Sequence, residues 1–446
     1  MRVEISEKLL FMKMLKKLYP ITDLANINGL TIDSRLLKSG DIYFPIKGEN
    51  VDGHKFINDA VSKGASLIFS ENEVDISISN IKIDSSVLEL KKLASEWRNY
   101  FNQTFIGITG SNGKTTVKEL LYSVISSSDS CMKTEGNHNN TIGLPMSLFT
   151  LDKSTNYAII EMGAGSIGEI DYLCDIVKPE IGLITNIYDA HVEYFKNINQ
   201  IASEKSSLFS ALPENGIAFI NMDDPFISQM TTNAKRISYG FQDNVDFSGS
   251  IKNLDNSVVL QISGVDIILP YGGQAMAQNA LSVFAVASTL GISEQNIVTN
   301  IENFKAPRGR GEILQKTNFT IIDDTYNANP ESTKIGLQAF LKSYPNKRHI
   351  AILGDMLELG EFEKKFHSEM GQYISKLSLD AVFGYGSLTA YTIEGINQKN
   401  IDKYHFSNKT ELIDKLNNFL LPGDVIYIKG SRGMKMESII EEGFSK

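Results

Sequence analysis

The sequence predicts an α/β protein of about three domains, and three observations support this class. The chain has 446 residues, whereas a single domain usually holds about 100 to 150. Short apolar runs alternate with helical patterns along most of the chain. One such run leads into the glycine-rich residues 107–116, and a helical pattern follows them. This order of strand, loop and helix is typical of a domain with a parallel sheet.

The bulk composition argues against several functional classes. With 43 basic and 53 acidic side chains the formal net charge is -10, which disfavours nucleic acid as a partner. The two cysteines, Cys131 and Cys174, are too few for a disulfide framework and suit a reducing compartment. The first residues are acidic where a signal peptide is basic, and no apolar run is long enough to span a bilayer. We therefore expect a cytoplasmic protein without membrane insertion.

Residues 1–98 are predicted to form a small α/β domain. Apolar runs at 42–44 and 67–69 alternate with helical patterns at 56–63 and 87–100. Ser34 and Arg35 suit a diphosphate, because a guanidinium group makes two-pronged contacts with phosphate oxygens. The same residues equally fit a capped turn with a solvated arginine, and both interpretations stay open.

Residues 99–307 are predicted to form a second domain around a mostly parallel sheet. Strands are expected at 104–109, 157–161, 181–187 and 217–221, and the alternating apolar residues of 240–272 indicate a small antiparallel appendage. A further α/β series fills residues 308–446. Its strands are expected at 319–323, 350–353, 381–383 and 425–429.

The glycine-rich loop is the most specific motif of the chain. Gly110 and Gly113 allow backbone N–H groups to converge on one point, and the helix that follows adds partial positive charge there. Lys114 can reach β- and γ-phosphate oxygens, and the Thr115 hydroxyl can bind Mg²⁺. Ile108 stands where the strict phosphate-loop pattern has glycine, so a plain turn with a surface lysine is the alternative.

Polar residues follow the other predicted strands of the second domain. Glu161 ends one strand and is placed to hold Mg²⁺, and Asn186 ends the next, with His191 in the loop behind it. Lys205 lies on a helix, where a lysine is normally solvated. Asn140 belongs to the amide-rich residues 134–145, which fit either Asx turns or a loop that recognises a ligand.

Three polar clusters follow strands of the last domain, at 323–330, 354–360 and 429–433. Because ligands of open parallel sheets gather at the carboxyl ends of strands, a binding role is favoured over ordinary turns.

Taken together, several segments resemble the Mur ligases, the ATP-dependent amide-forming enzymes of peptidoglycan synthesis, over the whole chain. The segments are residues 109–116, 161–164, 186–191, 278–281, 309–310, 326–330 and 354–360. Ser111 departs from the threonine of many relatives. The last two segments are typical of the member that adds D-alanyl-D-alanine to UDP-N-acetylmuramoyl-tripeptide. The Asp-Asn-Pro-Arg motif of the member that adds diaminopimelate or lysine is absent.

The resemblance implies an N-terminal UDP-binding domain, a central P-loop-type ATPase domain and a C-terminal Rossmann-like domain. It also implies roles for individual residues. ATP would be bound by Gly110, Ser111, Asn112, Gly113, Lys114, Thr115, Thr116, Asn279, Arg310, Asp324 and Tyr326. Two Mg²⁺ ions would be held by Thr115, Glu161, His191 and a carbamylated Lys205. The organic substrates would be bound by Ser34, Arg35, Asn140, Asn327, Asn329, Lys429, Ser431 and Arg432.

The implied chemistry is activation of a carboxylate by the γ-phosphate of ATP, followed by attack of an amine on the acyl phosphate. Lys114, His191 and Lys205 would be the catalytic residues, and the enzyme would act as a monomer on small molecules. Two alternatives remain, a folylpolyglutamate synthase-like ligase of the same superfamily and a regulatory protein that binds ATP without forming a bond.

Overall fold

The computed structural model describes residues 1–20, 26–48, 51–188, 194–254, 257–271 and 273–444. These residues form three separate β-sheets that follow one another along the chain, and helices cover each sheet. The α/β class is therefore confirmed, with a largely parallel sheet in the middle domain and another in the last. The domain boundaries at 98/99 and 307/308 stay predictions. None of the helices in the described part of the chain combines the length and apolar character that a bilayer crossing requires.

The first sheet has five strands in the order β1-β2-β3-β4-β5, antiparallel between β1 and β2 and parallel elsewhere. Its elements are β1 Arg2–Glu4, α1 Lys8–Leu18, β2 Gly29–Thr31, β3 Ile42–Tyr43, α2 Ile57–Ser62, β4 Leu67–Ser70, β5 Ser79–Lys82 and α3 Ser86–Arg98.

The second sheet has nine strands in the order β14-β13-β12-β11-β10-β9-β6-β8-β7. Its elements are β6 Thr104–Thr109, α4 Lys114–Ser126, β7 Cys131–Lys133, α5 Gly143–Leu148, β8 Tyr157–Glu161, α6 Glu169–Val177, β9 Ile181–Ile184, α7 Ile198–Ser210, β10 Ile217–Asn221, β11 Lys235–Gly240, β12 Phe247–Leu254, β13 Ser257–Ile262, β14 Val265–Ile268, α8 Gln274–Thr289 and α9 Glu294–Glu302. The strands from β7 to β12 are parallel, and β12, β13 and β14 are antiparallel to one another.

The third sheet has six strands in the order β15-β16-β20-β17-β18-β19, all parallel except for β15. Its elements are β15 Glu312–Gln315, β16 Thr320–Asp324, α10 Pro330–Ser343, β17 His349–Gly354, α11 Glu363–Ile374, β18 Ala381–Tyr385, α12 Thr389–Gly395, β19 Asp402–Phe406, α13 Lys409–Phe419, β20 Val425–Lys429 and α14 Glu437–Gly443.

One expectation about the middle sheet needs correction, and another is confirmed. The strand predicted at 181–187 ends at Ile184, and the side chains of Thr185 and Asn186 then donate to the Asn112 carbonyl of the glycine-rich loop. The antiparallel appendage predicted within 240–272 is present as β12, β13 and β14. Its first strand, β12, pairs in parallel with β11, so the appendage extends the central sheet at one edge.

The first domain packs on the middle one through aromatic side chains. Leu90, Leu93 and Trp97 recur at helical spacing on α3 and are fully buried. The Trp97 indole donates to the Leu148 carbonyl at 3.0 Å, and the Phe11 ring contacts Trp97 edge-on with centroids 5.2 Å apart. Buried side chains of the two domains form one continuous core at this junction. Burying side chains of this size contributes about 2 to 3 kcal/mol each.

Candidate active site at the carboxyl ends of the central strands

The glycine-rich loop connects β6 to α4 and requires glycine at two positions. Gly113 has φ +81°, and a Cβ there would lie 2.8 Å from the Asn279 side-chain oxygen. Gly110 has φ +147°, and a Cβ there would overlap the Thr185 hydroxyl. Such backbone is accessible mainly to glycine. The loop therefore lies tightly against Asn279 of α8 and the end of β9.

The back of the loop is fixed by the residues that follow β9. The Asn186 side chain accepts from the Asn112 N–H at 2.9 Å and donates to the Asn112 carbonyl at 3.1 Å. The Ser111 N–H donates to the Asn186 carbonyl at 2.9 Å. The Ser111 hydroxyl donates to the Tyr188 carbonyl and accepts from the Tyr188 N–H, each at 2.9 Å. Asn186 and the Ser111 hydroxyl thus hold the loop in shape.

The Lys114 side chain curls back over the loop. Its Nζ donates to the Gly110 carbonyl at 2.7 Å and to the Ser111 carbonyl at 3.3 Å. Burial lowers the pKa of Lys114, and Arg310 lowers it further, whereas Glu161 opposes the shift. The ammonium group lies where a phosphate chain bound to the loop would need positive charge, and Thr116 follows in the first turn of α4.

Glu161, at the end of β8, is buried and surrounded by donors. The Thr115 hydroxyl donates to Oε2 at 2.9 Å, and the Asn139 amide donates to Oε1 at 2.7 Å. The Lys118 ammonium lies 3.5 Å from Oε2 and also bonds the Gly136 carbonyl at 3.2 Å.

Sequence reasoning missed both Asn139 and Lys118. The position of Lys118 did carry a signal, because it lies four residues after Lys114 and therefore on the same face of α4.

The donor set around Glu161 suits a hard cation. Thr115 and Glu161 offer oxygen ligands, which Mg²⁺ prefers. No group of three or more His, Cys, Asp and Glu side chains forms a metal cage in the described ranges. An ion at this place would therefore rely on water and phosphate oxygens for the rest of its coordination. His191, the other predicted ligand, lies outside the described residues.

Lys205 is buried in α7, contrary to the usual solvated lysine. Burial and, to a smaller extent, nearby Lys114 lower the pKa of Lys205 to about 7, with Glu204 opposing the shift. The Glu204 carboxylate is bonded to the start of α6, where its oxygens accept from the N–H groups of Gly168 at 2.6 Å and Ile170 at 2.7 Å. Near neutral pH a large fraction of the Lys205 amine is therefore uncharged.

Polar residues at the start of the last domain contact one another and the end of β20. The Arg310 guanidinium group lies over the Tyr326 ring, 3.8 Å from its centroid, and the Tyr326 N–H donates to the Gly309 carbonyl. Asp324 accepts from the Tyr427 hydroxyl at 2.7 Å and from the Lys429 ammonium at 2.6 Å. Lys429, predicted to bind substrate, is buried and has its charge paired with Asp324.

The three polar clusters of the last domain meet at Ser431. Its hydroxyl donates to the Ala328 carbonyl at 3.2 Å and accepts from the Leu357 N–H at 2.8 Å. Its own N–H donates to the Asp355 carbonyl at 3.1 Å. Ser431, also predicted to bind substrate, is buried and acts as the junction of the three loops.

Arg432 and Asn327, both predicted to bind substrate, lie nearer the surface. The Arg432 guanidinium group is 5.9 Å from the Tyr326 ring centroid and 2.9 Å from Glu437, and its side chain is largely exposed. The Asn327 side chain is exposed and accepts from the Ala328 N–H at 2.9 Å.

Asn329 brings the last domain against the glycine-rich loop. Its Nδ2 donates to Asn112 Oδ1 at 2.9 Å, although the two residues are 217 positions apart in sequence. This bond places the start of α10 next to the residues that precede α4.

The remaining predicted substrate residues lie elsewhere. Arg35 is exposed and bonds Asp33, whose pKa it lowers to about 2, while Ser34 is buried beside it. Asn140 is exposed and accepts from the Gly143 N–H at 2.8 Å, at the start of α5. Across the described ranges, no hydrogen bond or ion pair joins these three residues to residues 110–116.

Comparison with known proteins places the whole chain in one family. The family models described as "Mur ligase family, catalytic domain", "Mur ligase middle domain" and "Mur ligase, glutamate ligase domain" match residues 26–100, 108–287 and 309–432. A relative from Bacillus subtilis (strain 168), UDP-N-acetylmuramoyl-tripeptide--D-alanyl-D-alanine ligase, is 32% identical over 428 residues, which are 93% of either chain.

Solved structures show the same likeness. The chain is similar to MurF from Acinetobacter baumannii with a TM-score of 0.87 and 29% identity, covering 98% of each chain. It is also similar to MurF ligase from Thermotoga maritima in complex with ADP, with a TM-score of 0.83, 30% identity and coverage of 95% and 99%. Sequence, fold and loop geometry therefore agree, and we conclude that this chain belongs to the Mur ligase family.

Proposed function

We propose that this enzyme joins D-alanyl-D-alanine to UDP-N-acetylmuramoyl-tripeptide, with conversion of ATP to ADP and phosphate. The observation that carries the proposal is the meeting of the glycine-rich loop with the polar strand ends of the last domain, through Asn112 and Asn329. That meeting puts a phosphate-binding loop beside the loops predicted to hold the amine substrate. The Bacillus subtilis relative, which this chain matches over 93% of its length, is named for this activity.

ATP is proposed to lie across the two domains. Residues 110–116 and Asn279 would bind the phosphates from the middle domain, where the absence of a Cβ at Gly113 lets the loop approach Asn279 closely. Arg310, Tyr326 and Asp324 would contact the nucleotide from the last domain. The stacked Arg310 and Tyr326 side chains offer both a flat surface and a positive charge for this purpose.

Two Mg²⁺ ions are proposed, held by Thr115, Glu161, His191 and a modified Lys205. Bound Mg²⁺ would neutralise charge that develops on the phosphate oxygens. Thr115 and Glu161 are already in contact, so two of the oxygen ligands of one ion would be held together before it binds.

Lys205 is proposed to react with carbon dioxide. The neutral amine attacks the carbon of CO₂, an N–C bond forms, and one proton leaves, so that a cation becomes an anionic oxygen ligand. The lowered pKa of Lys205, about 7, supports this step because it supplies the neutral amine near neutral pH. A ¹³C-bicarbonate NMR signal that is present in the native protein and lost in Lys205→Gln would test it.

The reaction begins when an oxygen of the terminal carboxylate of the tripeptide attacks the γ-phosphorus. The bond to ADP breaks, and an acyl phosphate forms. The amine of the dipeptide then attacks the acyl carbon, phosphate leaves, and the amine loses a proton. Because the groups that meet in the first step are all anionic, Lys114 would supply charge compensation at the loop. Contact between the last domain and the loop would exclude water from the acyl phosphate.

The organic substrates are proposed to contact residues from all three domains. Ser34, Arg35 and Asn140 would face the UDP-muramoyl peptide, and the exposed Arg35 guanidinium group would exchange Asp33 for a diphosphate. Asn327 and Arg432 would contact the dipeptide, and Arg432 suits its carboxylate. Lys429, Ser431 and Asn329 would contribute to substrate binding by holding the surrounding loops in shape.

The decisive experiment is a substrate panel with purified protein, ATP and Mg²⁺, with the product identified by mass. Phosphate release and a product enlarged by the dipeptide are expected only with D-alanyl-D-alanine and UDP-N-acetylmuramoyl-tripeptide. Activity with single amino acids on a folate-type acceptor would instead support a folylpolyglutamate synthase-like ligase. Tight ATP binding without phosphate release in every mixture would support a regulatory protein.

The setting of this activity is proposed to be the cytoplasm, where ATP and a UDP-linked precursor are available together. A monomer is also proposed, since one chain supplies all three sets of binding residues. Light scattering during gel filtration would test this, because a mass of twice 49.5 kDa would indicate a dimer.

A further inference from the structure

The glycine-rich loop has fewer free donors than its motif suggests. The N–H groups of Ser111 and Asn112 donate to Asn186, and the Ser111 hydroxyl is bonded to Tyr188. A loop that is to bind a triphosphate needs donors that face its concave side. The side-chain amide of Asn112 is the remaining donor of this residue, which directly precedes Gly113 and Lys114.

That amide is held in one orientation by a chain of hydrogen bonds. Asn329 caps α10, and its Oδ1 accepts from the Ser332 N–H at 2.8 Å. Its Nδ2 must therefore be the group that faces Asn112, where it donates to Oδ1 at 2.9 Å. Because the two ends of an amide differ, fixing Oδ1 of Asn112 also fixes where its Nδ2 points.

The result is a buried donor without an acceptor. Asn112 Nδ2 is shielded from solvent and has no hydrogen-bond partner among the described residues. An unpaired buried amide costs about 1 to 3 kcal/mol, so such a group is usually explained by a ligand, an ion or water. Because Asn112 directly precedes Gly113 and Lys114 in the loop that is predicted to bind phosphate, an anionic oxygen suits this donor as its acceptor.

We propose that Asn329 is a positioning residue, which turns the Asn112 amide so that Nδ2 donates to a γ-phosphoryl oxygen of ATP. The inference rests on the proposed function, because it requires ATP in the loop. It goes further in giving the last domain a direct part in distinguishing ATP from ADP. The two nucleotides differ in the γ-phosphoryl group, so only ATP offers the acceptor to Asn112 when the last domain is in contact.

The test compares binding of ADP and of a nonhydrolysable ATP analogue by calorimetry, which needs no turnover. Asn329→Ser keeps a good helix cap and adds no charge, but its hydroxyl is too short to reach Asn112. We expect it to weaken binding of the analogue about tenfold and to leave ADP binding within about twofold, as loss of one charge-assisted bond predicts. Ser332→Ala is the matched control, because it removes the other half of the capping box and keeps the Asn329 donor.

A double-mutant cycle makes the test specific. Asn112→Ala should have the same selective effect, and Asn112→Ala with Asn329→Ser should show no further loss, because both changes remove one interaction. Equal weakening of the binding of ADP and of the analogue would overturn the inference, as would losses of affinity that add in the double variant. A raised KM for the dipeptide with unchanged nucleotide binding would also overturn it. These outcomes differ from failure of the proposed function, in which the unaltered protein would bind neither nucleotide or form no product. Thermal melting of each variant separates these results from loss of the fold.

Discussion

The Thr115 hydroxyl donates a hydrogen bond of 2.9 Å to Glu161 Oε2, and this bond joins the first turn of α4 to the carboxyl end of β8. Both groups are buried, and Asn139 and Lys118 complete the surroundings of the carboxylate. The proposed Mg²⁺ ligands are therefore part of a network that also holds the fold together, and variants can separate the two roles.

Replacing Thr115 by valine removes the hydroxyl and keeps the shape of the side chain. We expect turnover to fall about 100-fold or more and the Mg²⁺ concentration for half-maximal rate to rise. The free energy of unfolding should change by only about 1 kcal/mol. Steady-state rates at several Mg²⁺ concentrations check this. Thr115→Ser is the control and should recover most of the activity; a valine variant as active as native protein would remove Thr115 from the metal site.

Replacing Lys114 by methionine should abolish ligation and leave the fold intact. The ammonium group is predicted to stabilise phosphate charge in the transition state, and its loss should lower turnover about 1,000-fold or more. Stability should stay within about 1 kcal/mol or increase, because burial already disfavours the charged form of this lysine, as its lowered pKa shows.

The measurements are phosphate release and urea denaturation, with the exposed Lys153→Met as the control. Turnover by Lys114→Met at the rate of the control would contradict the assignment.

Replacing Lys118 by methionine tests the part of the network that the sequence did not reveal. The change leaves the Glu161 carboxylate buried without its cationic neighbour, and we expect a loss of about 3 kcal/mol in the free energy of unfolding. Lys82→Met is the control, since Lys82 pairs with Glu73 on the exposed surface, and it should cost less than about 1 kcal/mol. Equal losses for the two variants in urea denaturation would show that burial of the Glu161 pair is unimportant.

The two thiols should be almost inert in the folded protein. Burial raises the pKa of Cys131 to about 12, and burial also raises the pKa of Cys174. At pH 8 about one Cys131 side chain in 10⁴ is then in the reactive thiolate form. The labelling rate of Cys131 should therefore rise about tenfold for each pH unit above pH 8. A thiol-specific chromogenic reagent should label both cysteines quickly only in urea. Fast labelling of the native protein at pH 8 would contradict this prediction.

Much of the fold could be predicted because the central strands are buried on both faces. The strands Thr104–Thr109, Tyr157–Glu161, Ile217–Asn221 and Val425–Lys429 have the predicted limits, since their residues form continuous apolar runs. Edge strands were harder to predict. β5 and β19 are short and partly polar, so they carry no apolar run that separates them from loops.

The site could be predicted only in part, because a sequence shows which polar groups are present and not which of them bond to each other. Lys429 and Asp324 are both plausible ligand contacts, yet they pair with one another. Asn186 follows a strand as expected, but its amide holds the glycine-rich loop. The burial that lowers the pKa of Lys205 comes from tertiary packing, so it is not visible in the helical pattern around it.

The way in which Ser431 joins three loops has a consequence for the order of events during a catalytic cycle. Segments tied to a common hydroxyl lose their independent freedom when the domain folds, not when a substrate arrives. The dipeptide would then meet a surface that is already assembled, and little binding energy would be consumed in ordering it. Its time of entry would depend on when a path to that surface is open, rather than on how fast the surface can form.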